Sequence, residues 1–455
     1  MTELAIIVLA AGKGTRMKSA LPKVLHRAAG RSLLGHVLHV AKDLAAARVV
    51  VISGPDMPEI EAEALNIVPR SVTAIQLERK GTGHAVSMAR EALADFGGKV
   101  LVLYGDVPLI RPATVRRLTS NAAPLAVLGF RPVSPTGYGR LLQDKAGQVF
   151  AIREELDATP EERKINLCNS GIIAMDAGLL WKLMPKLRDD NAKKELYLTD
   201  LVGLTIAEGL AVGLEECPEA EVAGVNDRAQ LAGIEAQLQG HYRLAHMNNG
   251  ATLTAPETVF FSADTKIGQD VVIGPNVVFG PGVSVGDNVE IHSFSHIEGA
   301  TIAAGARIGP YARLHPGAEI GEDAHIGNFV EIKKAVIGKG AKANHLSYIG
   351  DAKVGARSNI GAGTITCNYD GYDKHVTDIG AEVFVGSNTA LVAPVKVGDG
   401  ANIAAGSVIT KNVPANALAI ARAEETVREG WAAKYRQIKK ARKAAKASNN
   451  SGGRG

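Results

Sequence analysis

A chain of 455 residues, 46% apolar and 22% charged, has room for about three ordinary domains, and none of its apolar runs reaches the ~18 residues that a membrane span needs. Three scattered cysteines, Cys168, Cys217 and Cys367, form no CxxC pair, which argues against a disulfide framework or a zinc site and for a reducing, cytoplasmic setting. The net charge of +4 hides an imbalance, since eight basic and no acidic residues lie from Lys434 onward and the rest of the chain is near −4; 50 glycines against 4% aromatics suit a repeat cored by aliphatics.

The first apolar stretch, Leu4–Leu9, has no basic run before it and leads into a glycine motif, so it reads as a buried strand and not as a secretory signal. In the turn that follows, Leu9-Ala10-Ala11-Gly12-Lys13-Gly14-Thr15-Arg16-Met17, Gly12 and Gly14 let backbone N–H groups approach phosphate, and Lys13 and Arg16 add charge. It is not a Walker A loop, for no GK[ST] follows, nor a dinucleotide fingerprint, because Met17 stands where the third glycine belongs. Pro22 stiffens the next turn and fixes where Lys23 points. Further strands are expected at Arg48–Ile52, Lys99–Leu103 and Ala126–Phe130, and helices at Leu33–Ala46, His84–Ala94 and Ala113–Asn121. Such alternation predicts an α/β, Rossmann-like sheet with ligands at the carboxyl ends of its strands. It places Asp106, in Tyr104-Gly105-Asp106, at a strand end suited to holding Mg²⁺.

Asp227–His246 lacks proline and carries Leu231, Ile234, Leu238 and Leu244 at near-helical spacing, which predicts a linker helix. After residue 262 the period becomes six. Apolar residues fall at Ile267, Ile273, Phe279, Val285, Ile291 and Ile297, resume after a one-residue reset at Ile302, Ile308, Leu314, Ile320, Ile326 and Ile332, and return at Ile379, Val385, Leu391, Val397, Ile403 and Ile409. A period of six fits neither helix nor isolated strand but does fit a hexapeptide β-helix, three hexads to a triangular coil. Glycine often follows the apolar residue, as at Gly268, Gly274 and Gly321, and is expected there to permit the turn at each corner. Asn368-Tyr369-Asp370-Gly371 breaks the repeat and is expected to leave the coil as a functional loop. The repeat region holds six histidines, the natural candidates for a base near neutral pH, and composition does not choose among His292, His296, His315, His325, His345 and His375. The basic tail reads as a solvated helix with a flexible end from Ser448, and not as a nucleic-acid site.

Gly12–Met17, Pro22-Lys23, Gln76, Lys80–Ala85, Tyr104–Leu109, Pro135–Arg140, Glu154, Asn169–Gly171 and Gly224–Asp227 resemble the sugar-nucleotide pyrophosphorylases. Over essentially the whole chain except the tail, the sequence resembles the bifunctional family that joins an N-acetylglucosamine-1-phosphate uridyltransferase to a glucosamine-1-phosphate acetyltransferase. The resemblance implies a nucleotidyltransferase domain at 1–226, a linker helix at 227–249, a left-handed parallel β-helix at 250–433 and a basic, partly disordered tail at 434–455. It implies that Arg16 and Lys23 neutralise the phosphates of UTP and that Asp106 and Asn226 bind Mg²⁺. Leu9, Ala10, Ala11, Gly12, Gln76, Gly81, Thr82, Tyr104 and Gly105 would surround the nucleotide, and Gly139, Glu154 and Asn169 the sugar. Asn226 also invites a plainer reading, as the cap of the helix that follows.

For the second activity the resemblance implies His345 as general base with Glu331 as its orienting carboxylate. His315, Lys333, Tyr348 and Asn359 would bind the sugar phosphate; Ala362, Ser387, Ala405 and Arg422 would bind acetyl-CoA, with Asn368 and Tyr369 touching one or other substrate. His315 departs from the family pattern, which has arginine in Ala312-Arg313-Leu314-His315-Pro316-Gly317. Imidazole has fewer donors than guanidinium and no permanent charge, so sugar-phosphate binding is expected to be weaker and to weaken further as pH rises. Arg153 and Leu156, beside Glu154, also depart from it. A homotrimer of packed prisms is expected, with small-molecule substrates only. A single-activity hexose-1-phosphate nucleotidyltransferase with a structural β-helix is the alternative, and it would lack the set Glu331, His345 and Asn368-Tyr369.

Overall fold

The structure, a computed structural model, describes residues 3–451, with side chains as far as Ala447; Gly452–Gly455, and with them Arg454 of the basic tail, lie outside the described residues. The chain forms two compact units that divide between Thr301 and Ile302.

In the first unit a twisted sheet runs in the order β9-β5-β8-β4-β1-β2-β3, from strands β1 (Leu4–Leu9), β2 (Arg48–Ser53), β3 (Val72–Ile75), β4 (Lys99–Tyr104), β5 (Leu125–Phe130), β8 (Cys168–Asp176) and β9 (Val212–Cys217). All neighbours are parallel except β8, which runs antiparallel to β4 and β5. A hairpin of β6 (Arg140–Gln143) and β7 (Val149–Arg153) joins β8 through the Cys168–Arg140 pair. The unbroken apolar run of β1 has a simple cause: Ala5 and Ile7 feed the core on one face, Ile6 and Val8 the core on the other. Ser32 caps α1 (Leu33–Asp43), its hydroxyl accepting from Gly35 N at 2.8 Å. This helix ends three residues before the expected Ala46, because Ala45 turns to a φ of 51°. After α2 (Pro58–Ile67), the segment expected as one helix at His84–Ala94 is helical only over α3 (Thr82–Ser87). Beyond it the backbone closes i→i−3 turns, and the Ser87 hydroxyl takes the His84 carbonyl that the next helical N–H needs.

Past α4 (Pro112–Ser120), α5 (Ala177–Leu183) and α6 (Asp200–Ala207), the expected linker helix is α7 (Arg228–Asn248), but it is packed and not free. Ile234 and Leu238 join Met17, Ala28, Leu33 and Val225 in one apolar cluster, whereas Leu244 faces solvent. Buried Gln239 exchanges both amide hydrogen bonds with the backbone of Phe261 (2.7 and 2.8 Å), fixing the helix to the start of the repeats. The first coils follow, with parallel rungs such as Lys266–Ser284 and Val272–Glu290 eighteen residues apart.

The second unit is by itself a left-handed parallel β-helix, with rungs such as Arg307–His325 and Phe384–Asn402. Every one of the eighteen hexad positions expected inside is buried. The expected reason for the glycines is corrected, however. Gly268 and Gly321 do not have positive φ; the left-handed residues stand two places later, at Asp270 (55°) and Asp323 (55°), types whose side chains tolerate that conformation. Glycine is needed at Gly321 because a Cβ there would lie 2.7 Å from the Ile337 carbonyl oxygen of the next coil. Residues Trp431–Ser451 form a final helix, exposed throughout Trp431–Ala447 and extending past Ser448, where the flexible end was expected. Alanine, lysine and arginine favour helix strongly enough to account for this. No helix among the described residues is long and apolar enough to cross a membrane.

Candidate active sites

The first site lies where β1 and β4 end side by side. The glycine turn leaves β1 and folds back under the Lys23 turn. Gly14 has a φ of 59°, and a Cβ on it would lie 2.4 Å from the Lys23 Cβ, so only glycine fits. Met17, in the third-glycine position, is buried and anchors the loop. A cavity of about 240 Å³ gathers ten of the expected residues: Leu9, Ala10, Ala11, Gly12, Lys23, Gln76, Gly81, Thr82, Tyr104 and Asp106. Buried Gln76 donates to the Gly81 carbonyl at 3.2 Å, and Gly81, at φ 101°, passes so close to Leu196 that a Cβ would meet its carbonyl oxygen at 2.6 Å. Gly105 lies just behind the cavity, its N–H donating to the Leu9 carbonyl. Arg16 is exposed and has no ion pair among the described residues.

The sequence reading missed Arg79. Its Nε donates to the Ala11 carbonyl at 2.7 Å and pins the glycine turn from across the cavity. Nothing in the motif spacing signals it, since the contact joins two loops 68 positions apart.

Lys23 Nζ meets Asp106 Oδ2 and lies 3.4 Å from Asn226 Oδ1. The structure also decides the capping question. Asp227 caps α7, its Oδ1 accepting from Gln230 N at 2.8 Å, which leaves the Asn226 side chain to the site.

Gly139, Glu154 and Asn169 form a second cluster. Asn169 N donates to the Gly139 carbonyl at 2.8 Å, and a Cβ on Gly139 would lie 3.4 Å from both carboxylate oxygens of Glu154. Burial pushes the Glu154 carboxyl up, a bond from the Thr199 hydroxyl pulls it down, and the Asp157 and Asp200 carboxylates add to the rise. Tyr104 lies between the clusters, against Gly171, with its phenol pushed up by burial and then by Glu154 and Asp106. Of the two departures, Leu156 faces solvent and Arg153 pairs with Glu162 at 3.5 Å.

The second site is built on stacked rungs. Arg313, Glu331, Tyr348 and Ile365 stand in one register column, while His345 pairs with Asn328. Glu331 therefore meets a different histidine from the one expected: its Oε1 lies 2.7 Å from His315 Nε2. The His345 ring is exposed and makes no hydrogen bond among the described residues. Lys333 stands opposite Gly350, and Asn359 between Lys342 and Phe384.

The loop after Cys367 does leave the coil. Asp370 Oδ1 accepts from Tyr372 N and Asp373 N (2.8 and 2.7 Å), and its Oδ2 faces His375 Nε2 at 2.7 Å, which holds the carboxyl well below the usual range. His375 is thus engaged within the loop. Asn368 is buried and donates to Asp351 at 2.5 Å, whereas Tyr369 is exposed. Ala362, Ser387 and Ala405 recur on successive coils, and Arg422 Nη1 closes on the Ala405 carbonyl at 2.9 Å.

Comparison with known proteins agrees with this division. The family described as the MobA-like NTP transferase domain matches residues 6–165, and the bacterial transferase hexapeptide family (six repeats) matches 264–299, 299–334 and 377–411. The unmatched stretch before 377 holds the ejected loop. The bifunctional protein GlmU of Azorhizobium caulinodans is 56% identical over 95% of this chain and 97% of that protein. Those of Paramagnetospirillum magneticum (55%, over 98% and 99%) and Rhodospirillum rubrum (57%, over 96% and 98%) are as similar. More than half identical to these proteins over nearly its whole length, the chain belongs to the family of bifunctional GlmU proteins.

Proposed function

We propose that the chain makes UDP-N-acetylglucosamine, a precursor of peptidoglycan and lipopolysaccharide, in two steps at two separate sites. Residues 250–433 acetylate glucosamine-1-phosphate with acetyl-CoA, and residues 1–226 transfer UMP from UTP to the product, releasing pyrophosphate. The observation that carries the reading is the convergence of Lys23 with Asp106 and Asn226 at the mouth of the nucleotide cavity.

In the uridylyl step the nucleophile is a sugar phosphate, already an anion, so no general base is needed. The work is positioning and charge neutralisation. Gln76 and Gly81 orient the base, Lys23 and Arg16 meet the phosphates, and Gly139, Glu154 and Asn169 hold the sugar so that its phosphate oxygen attacks the α-phosphorus. Mg²⁺ fits the residues present: one carboxylate and one amide oxygen already converge on a single cation, the Lys23 ammonium, and an oxygen pair of that kind suits a hard ion that keeps its waters. Bound by Asp106 and Asn226, it would offset charge on the triphosphate.

In the acetyl step His345, its ring unengaged, takes a proton from the sugar amine as the nitrogen attacks the thioester carbonyl. The C–S bond breaks, the amide forms and CoA leaves as its thiol. His315, bonded to Glu331, lies with Lys333, Tyr348 and Asn359 on the sugar-phosphate side. Ala362, Ser387 and Ala405 leave room for the pantetheine arm, Arg422 meets a CoA phosphate, and Asn368 and Tyr369 close the site. We read the molecule as a cytoplasmic homotrimer. Exposed apolar residues on the β-helix, among them Phe329, Leu346 and Phe384, provide the surface for packing.

A one-pot assay with glucosamine-1-phosphate, acetyl-CoA, UTP and Mg²⁺ tests the reading. Both CoA thiol and UDP-N-acetylglucosamine are expected, and EDTA should abolish the nucleotide sugar while sparing thiol release. Uridylylation of added N-acetylglucosamine-1-phosphate, with no thiol release from the mixture, would make the β-helix structural.

A further inference from the structure

The uridyltransferase half buries a charge that the chemistry above does not use. Arg140, the first residue of β6, is only 1% exposed and is among the largest fully buried side chains of the chain. A guanidinium taken out of water is tolerated only when paired and hydrogen-bonded. Here its Nη1 lies 2.9 Å from Glu155 Oε2 and donates to the Tyr138 carbonyl, and its Nη2 donates to the Arg163 carbonyl at 3.2 Å. Nε has no partner, so the group is held for the directions of its remaining donors and not because the site satisfies it fully.

Those directions single out the sugar cluster. Tyr138 immediately precedes Gly139, Glu155 immediately follows Glu154, and the Arg140 backbone pairs with Cys168, next to Asn169. The planar fork thus touches the chain within one residue of Gly139 and of Glu154, and the backbone of the same residue does so for Asn169. Gly139 and Asn169 are joined directly by the 2.8 Å bond between Asn169 N and the Gly139 carbonyl. Glu154 belongs to none of the regular strands, since β7 ends at Arg153, opposite Arg140. The turn that carries it needs an anchor of this kind.

We propose that Arg140, paired with Glu155, is the positioning residue of the sugar-phosphate subsite. It sets the separation of Gly139, Glu154 and Asn169, and with it the hydroxyl and N-acetyl pattern that the subsite accepts. Lysine offers a point charge without the fork and cannot serve three segments at once. The inference rests on the reading that Gly139, Glu154 and Asn169 contact the sugar.

The test uses the full-length protein with the variants Arg140→Lys, Glu155→Gln and, in parallel, Glu154→Gln. KM for N-acetylglucosamine-1-phosphate and for UTP are measured separately, with acetyl transfer as the internal control of folding. Arg140→Lys and Glu155→Gln should each raise the sugar-phosphate KM about ten- to a hundredfold, leaving the UTP KM within about twofold and acetyl transfer intact. Glu155→Gln keeps the shape of the side chain and removes only the charge of the ion pair, so it reports even where Arg140→Lys fails to fold. An unchanged sugar-phosphate KM, or an equal rise in both KM values, overturns the positioning role if Glu154→Gln still weakens sugar binding. If Glu154→Gln also leaves sugar binding unchanged, the subsite reading itself fails and takes the proposal with it.

Discussion

Lys23 lines the cavity of the first site with its ammonium on Asp106 and Asn226, and the proposed uridylyl transfer sets this cation against the leaving pyrophosphate. Lys23→Ala should cut UDP-sugar formation at least ~100-fold, the scale of comparable losses of transition-state charge stabilisation, and leave thiol release from acetyl-CoA unchanged. Near-normal uridylyl transfer by that variant would remove Lys23 from the mechanism. Glu154 permits a prediction about stability. Burial, helped by Asp157 and Asp200, raises its carboxyl above the ordinary 4.5, so the fold holds it better protonated. Its contribution is then fully present below 4.5 and is lost as pH rises through the folded value. Glu154→Gln should therefore raise the melting temperature at pH 7, a gain that shrinks to nothing near pH ~4. A gain that is equal at both pH values would mean that the glutamate is not strained by its site.

At the level of elements, the two kinds of glycine separate cleanly. Gly355 has no positive φ, yet a Cβ there would meet the Gly380 carbonyl carbon of the next coil at 2.3 Å, backbone against backbone. Gly240 lies on the exposed face of α7 with nothing within 4 Å. Gly355→Ala should destabilise the β-helix by about 1–3 kcal/mol, whereas Gly240→Ala should stabilise α7 by about 0.5–1 kcal/mol. Thermal denaturation of the two variants checks the opposite signs. This contrast also shows where the sequence stopped being informative. A period of six survives translation into buried rungs because each inward residue must be apolar whatever its neighbours do. What a rung faces depends on the length of the coil between, and that length is not constant: eighteen residues from Arg313 to Glu331, seventeen from Asn328 to His345, and twenty-five from Asn359 to Phe384 across the loop. The resemblance therefore named Glu331 and His345, but neither it nor the spacing showed the pairing of Glu331 with His315. The same limit hid Arg79 and the packing of α7, both of which depend on contacts between distant segments. The glycine turn and Asp106 were legible because each follows the end of a strand whose position the apolar pattern fixes, and Lys23 because Pro22 marks its turn.

For the whole molecule, the division of residues decides whether the intermediate is free. Every residue assigned to uridylyl transfer lies between Leu9 and Asn226, within the unit that ends at Thr301, and every residue assigned to acetyl transfer lies between His315 and Arg422, within the unit that follows. On the proposed assignment neither set borrows a side chain from the other, and the proposal is that N-acetylglucosamine-1-phosphate made at one is released to solvent before it reaches the other. A mixture of Lys23→Ala and His345→Ala proteins, each lacking one step, should then convert glucosamine-1-phosphate, acetyl-CoA and UTP to UDP-N-acetylglucosamine. Product should appear after a lag while the intermediate accumulates, and added unlabelled N-acetylglucosamine-1-phosphate should dilute label carried from glucosamine-1-phosphate. A mixture that makes no nucleotide sugar, although each variant performs its own remaining half-reaction, would show that the intermediate is handed on without release. The dilution arm applied to the unsubstituted protein separates a slow exchange from true retention, because a retained intermediate keeps its label however much unlabelled compound is present.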